Sequence, residues 1–126
     1  MSVKFRIATW NLDHPKHGNH FPEQMKKLAE ISAHIVVLTE TSPGADLSHL
    51  GYEGVSSLPY RPFKNSKKER NSSAIWSKWP IECALGTYDD ETATCAMIKA
   101  PFGSLLVYGT ILTWRNDRWP DETGAP

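Results

Sequence analysis

From Ile35 to Leu38 four apolar residues run without a break, three of them β-branched, and Thr39 and Glu40 follow. Such a run predicts a strand buried on both faces. The turn cluster Thr41-Ser42-Pro43-Gly44 predicts its end, so Glu40 stands where the chain leaves the core. Upstream, Val3 to Trp10 alternates apolar and polar residues as far as Ile7 and is then mostly apolar. This predicts a strand with one face in the core from its start and the second face covered later, ending at Asn11-Leu12-Asp13. Between the two strands, Pro22 to Ser32 reads as a helix. Pro22 suits its first turn, Met25, Leu28 and Ala29 form an apolar stripe, and Glu23 stands four residues before Lys27. Strand, helix and strand make a βαβ unit whose right-handed crossover sets the two strands parallel. Asn11 and Glu40 are then expected at the same edge of one sheet.

Beyond Pro43 the pattern changes. Tyr52 to Tyr60 reads as a turn-rich connection with one short strand, and Phe63 to Asn71 as a basic, polar loop. Four strands are then predicted, at Ser73–Ser77, Ile81–Tyr88, Thr92–Ala100 and Ser104–Leu112. Lys78-Trp79-Pro80, Asp89-Asp90-Glu91 and Pro101-Phe102-Gly103 separate them, which reads as an antiparallel meander. The segment from Trp114 to Pro126 has no periodicity, and it holds Trp114 and Trp119 without an evident core. The fold class is α/β.

Composition narrows the picture only a little. The chain has 126 residues, enough for one domain. Its 14 basic and 14 acidic residues cancel, so no global field draws it to nucleic acid or membrane. The local balance is uneven: Arg61 to Trp79 holds six basic residues against Glu69, and Glu82 to Glu91 holds four acids and no base. A basic loop of this kind is either a solvated face or a track for a polyanion. Cys83 and Cys95 show no metal-ligand spacing. With no signal-like apolar stretch at the start, a reduced, cytoplasmic setting is expected, although a hairpin could still join the two sulfurs. No run approaches the ~20 apolar residues of a membrane-spanning helix.

Three features carry candidate chemistry. A carboxylate at a rigid strand end with open space in front suits a hard metal ion, and an unremarkable surface Glu40 is the plain alternative. An amide at a strand end can orient a phosphate or support a metal ligand, and Asn11 would otherwise simply close an Asx turn. His14, His17 and His20 recur at every third position, but Pro15 and Gly18 break any helix that would align them, and no Cys or Glu completes a zinc set.

The set Thr9-Trp10-Asn11-Leu12, Ile35 to Glu40, Ser73 to Ile81 and Leu106 to Leu112 resembles, in order and spacing, the endonuclease/exonuclease/phosphatase superfamily. The resemblance implies a four-layered α/β sandwich of the DNase I-like type and Mg²⁺-dependent cleavage of phosphoesters, with Mn²⁺ as the alternative ion. It assigns Glu40 as a metal ligand and Asn11 to the phosphate and metal site, with Arg115 and Asn71 as candidate contacts of the substrate phosphate. Departures are equally clear. The family's Asp-x-Asn motif and terminal Asp-His pair are missing, no histidine follows His49, and Ile111 stands where a His is frequent. Residues 1–126 are therefore expected to form a single, truncated domain, the N-terminal part of a phosphoesterase, inactive alone. Its expected partners are a phosphoester substrate, nucleic acid among the candidates, and a second chain supplying the missing half. The rival reading is a non-catalytic nucleic-acid or polyanion-binding module using residues 61–78.

Overall fold

The computed structural model describes residues 2–13, 21–60 and 70–112. Its elements are β1 (Ile7–Asn11), α1 (Phe21–Ile31), β2 (Ile35–Thr41), a single 3₁₀ turn at Ser48–Leu50, β3 (Glu53–Ser56), β4 (Asn71–Ser77), β5 (Ile81–Leu85), β6 (Thr94–Ala100) and β7 (Gly103–Gly109). They form two sheets, one ordered β1-β2-β4-β3 and the other β5-β6-β7.

The βαβ expectation holds. β1 and β2 are parallel, with Ile7 opposite Ile35 and Asn11 opposite Thr39. The Leu12 N–H continues the ladder to Thr39 O at 2.9 Å. β1 departs from its reading in two ways. It begins at Ile7 rather than Val3, and its residues alternate exposed and half-buried, with Ile7 54% exposed. The reason is position: β1 ends its sheet, so among the described elements nothing covers its second face. In α1 only Leu28 of the expected stripe is fully buried, and Ala29 is exposed. The helix carries a Lys27–Glu30 ion pair at 4.0 Å instead of the expected Glu23–Lys27 pair.

The downstream strands do not form one meander. β4 leaves them and enters the first sheet between β2 and β3, antiparallel to both. Only β5, β6 and β7 make the antiparallel meander. Burial explains the split, because every residue of β4 is buried or half-buried, as a strand with neighbours on both sides must be.

Strand parity divides the core in two. Val36 and Leu38 of β2 pack with Leu28, Ala45, Leu47 and Tyr52 on the helix side. Ile35 and Ile75 meet Ala96 and Ile98 between the sheets. Gly109 marks how closely the sheets approach, since a Cβ there would stand 2.8 Å from Val37 Cγ1. At the Asn11–Glu40 end the inter-sheet filling becomes polar: Ser73 Oγ lies 2.9 Å from Thr92 O and 2.8 Å from Thr94 Oγ1. Asn71 Nδ2 donates to Ser57 O at 2.9 Å. Satisfied buried networks of this kind rigidify the strands that carry them.

Candidate active site at the strand ends

Parallel pairing decides where Asn11 and Glu40 lie. Because Asn11 is opposite Thr39, Glu40 is one step further along the neighbouring strand, so the two Cα atoms are roughly 6 Å apart from strand spacing and rise. Asn11 is exposed, and its Oδ1 accepts the Asp13 N–H at 2.9 Å. The Asx turn is thus present and does not compete with a functional role: it orients the amide and engages neither Nδ2 nor the second oxygen lone pair.

β2 does not stop at Glu40, as its turn cluster suggests. It runs on to Thr41, which pairs with Asn71. The interruption is in the backbone instead. Glu40 has φ +46°, left-handed for a non-glycine residue inside a strand. Such a conformation costs on the order of 1–3 kcal/mol and persists only where its surroundings impose it, often at functional sites. Beside it, Thr41 is 1% exposed and its hydroxyl has no hydrogen-bond partner among the described residues.

Two further residues join this edge. Tyr60 and Arg70 form an isolated antiparallel bridge, each N–H reaching the other's carbonyl at 2.8 Å. Burial pushes the Tyr60 phenol above its ordinary range, Arg70 and a Ser72 hydrogen bond draw it down, and Glu40 pushes it up again. The Tyr60 ring therefore lies within electrostatic reach of both Glu40 and Arg70. Sequence reading missed this pair, because Arg70 sits in a stretch that reads as solvated loop and Tyr60 in a turn-rich connection.

Asn71 is 4% exposed, with its amide committed to Ser57. It also lines a cavity of about 150 Å³ with Ser42, Asp46 and Trp76. Arg115, the histidine triplet and the basic residues 61–69 lie outside the described residues. A larger open cavity, about 620 Å³ and lined by Lys4, Phe5, Arg6 and His34, lies at the opposite end of the β1–β2 pair. Neither Asn11 nor Glu40 borders it.

Among the described residues no group of three or more His, Cys, Asp or Glu converges. The donors present are a carboxylate and an amide oxygen. That set fits Mg²⁺ or Mn²⁺, which take one or two carboxylates and complete their shell with water, better than the nitrogen and sulfur set of zinc.

Comparison with solved structures gives the fold. An endonuclease/exonuclease/phosphatase from Beutenbergia cavernae superposes with a TM-score of 0.65 over 90% of this chain and 39% of its own, at 17% identity. A family protein of the same name from Leptotrichia buccalis gives 0.66 over 87% and 55%, at 12% identity. A 3′ phosphatase from Neisseria, bound to product DNA hairpin, gives 0.58 over 85% and 41%, at 20% identity. This is the DNase I-like endonuclease/exonuclease/phosphatase fold. No protein-family model matches the chain, and no curated protein does. Across the superposed structures the chain spans from 33% to 55% of the neighbour's length, so it presents part of that fold. No helix among the described residues is long and apolar enough to cross a membrane.

Proposed function

We propose that this chain is the N-terminal part of a divalent-metal-dependent phosphoesterase. Glu40 is the metal ligand, and Asn11 orients both the metal shell and the substrate phosphate. The observation that carries this reading is the meeting of Asn11 and Glu40 at one sheet edge, with Glu40 held at φ +46°. The neighbours' names support the same class, and one of them holds a DNA product. Mg²⁺ is the ion proposed, with Mn²⁺ able to replace it. Phosphoesters, nucleic acid among them, are the substrates. Free Cys83 and Cys95 accord with a reducing, cytoplasmic setting.

Turnover needs more than these residues. The chain holds no Asp-x-Asn motif and no histidine after His49, so the general base and acid, each worth on the order of 10²–10⁴-fold, must come from elsewhere. A second chain could supply them, whereas another copy of this one could not. Asn71 and Arg115 remain proposed phosphate contacts, and Asn71 would have to exchange its bond to Ser57 to serve.

Two measurements test the reading. Mn²⁺ binding, followed by loss of the free-ion paramagnetic resonance signal, should be weakened at least tenfold by Glu40→Ala. Hydrolysis of bis-p-nitrophenyl phosphate with Mg²⁺ should stay at the level of that variant. Unchanged Mn²⁺ affinity in Glu40→Ala would remove the metal assignment. Turnover that Glu40→Ala abolishes would show that the chain contains its own general base. Steeply salt-dependent DNA binding that survives Glu40→Ala would favour the non-catalytic polyanion module.

A further inference from the structure

Arg70 lies at the Glu40 edge and forms no ion pair among the described residues. Asn71 pairs with Thr41, so Arg70 stands one residue beyond the last paired position of β2, just past Glu40. Its backbone is fixed by the two-way bridge to Tyr60, and its side chain is half-buried. Both its guanidinium and the Glu40 carboxylate act on the Tyr60 phenol, yet the two do not pair with each other. Among the described residues the ion pair formed is Lys27–Glu30, within α1.

A guanidinium that has lost part of its water without gaining an anion among the described residues is in an unfavourable position. The same planar fork, with five donors and a permanent charge, matches the oxygens of a phosphate in bidentate fashion. Asn11 adds a second donor on the same edge, because its Oδ1 is taken by Asp13 and its Nδ2 has no partner among the described residues.

We propose that Arg70 is a phosphate-binding residue of this site, gripping two non-bridging oxygens of the ligand's phosphate group. The assignment rests on reading the Glu40 edge as a phosphoester site, but it does not depend on a metal. Fixed backbone behind the residue and its half-buried stem place the fork, so the ligand meets a preorganised donor pair rather than a mobile surface cation.

The test is titration of the 126-residue chain in EDTA with inorganic phosphate, a nucleoside monophosphate and a short single-stranded oligonucleotide. Heat of binding and the arginine Nε–H resonances are the readouts. Phosphate should shift one arginine resonance that disappears in Arg70→Met, and affinity for all three ligands should fall at least tenfold. Arg70→Lys should retain an intermediate affinity, and Lys99→Met, an exposed cation on β6, should bind as the parent does. Urea midpoints of the variants establish that each is folded. Equal phosphate affinity in folded Arg70→Met overturns the proposal, as does a loss in Lys99→Met of the same size. Tighter binding of the oligonucleotide than of the monophosphate identifies nucleic acid as the source of the phosphate, and equal binding identifies a small phosphoester. The two readings fail separately. Unchanged Mn²⁺ affinity in Glu40→Ala sinks the metal reading, while loss of phosphate binding in Arg70→Met would still stand.

Discussion

Glu40 combines a charge, a strand position and a left-handed backbone, and these have opposite effects on stability and function. Glycine is the residue that tolerates φ +46° without steric cost, whereas alanine keeps the strain and loses only the carboxylate. Glu40→Gly is therefore expected to be more stable than Glu40→Ala by about 1 kcal/mol in urea unfolding. Both should lose Mn²⁺ affinity to the same extent. Equal midpoints for the two variants would mean that the surroundings, not the side chain, carry the strain. Sequence alone placed Glu40 and Asn11 at neighbouring strand ends because each follows an apolar run that ends abruptly. It could not identify the strain, because no composition rule marks a left-handed glutamate. Nor could it place Arg70, which a two-residue bridge to Tyr60, too short to leave a periodic trace, brings to this edge.

At the level of elements, legibility followed locality. The β1–α1–β2 unit was readable because a helix period lies between two apolar runs. The place of β4 was not, since its insertion between β2 and β3 depends on contacts made far away in sequence. Tyr52 ties these elements together: its hydroxyl donates to Ala33 O at 2.6 Å, fixing the turn that feeds β2. Burial raises its pKa above 10.0, and the bond to a carbonyl further favours the protonated form. Tyr60 is raised from the same starting value, also by burial first. The unfolded chain therefore loses these protons at lower pH than the folded one. Their stabilisation is complete below pH 10.0 and is lost as pH rises through the higher folded values. The urea midpoint should show no loss from these groups up to about pH 9 and fall above pH 10. Tyr52→Phe should lose ~1 kcal/mol at neutral pH and show a shallower alkaline decline. An unchanged alkaline slope in that variant would remove Tyr52 from the account.

Over the whole molecule, the second sheet presents two unlike faces. Ala96, Ile98, Leu105 and Val107 face the first sheet and are covered by it. The residues between them form a grid on the other side, set by register. Cys83, Met97 and Leu106 lie in one row, and Leu85, Cys95 and Tyr108 lie in the next. Leu106 is 56% exposed, Tyr108 48% and Leu85 42%. An apolar face of three strands is the kind of surface that layered α/β proteins bury under another element. β7, at the end of its sheet among the described strands, adds an unpaired hydrogen-bonding edge. The isolated chain should therefore associate, its weight-average mass rising with concentration in sedimentation equilibrium. Leu106→Lys places a charge at the centre of the β7 edge and should suppress that rise. Its folding stability should stay within about 0.5 kcal/mol, because the position is solvent-facing. A mass independent of concentration in the parent chain would mean that the face is covered in solution. A Leu106→Lys variant that still associates would move the contact away from β7, leaving the open face of β1, where Ile7 is 54% exposed, as the next surface to charge.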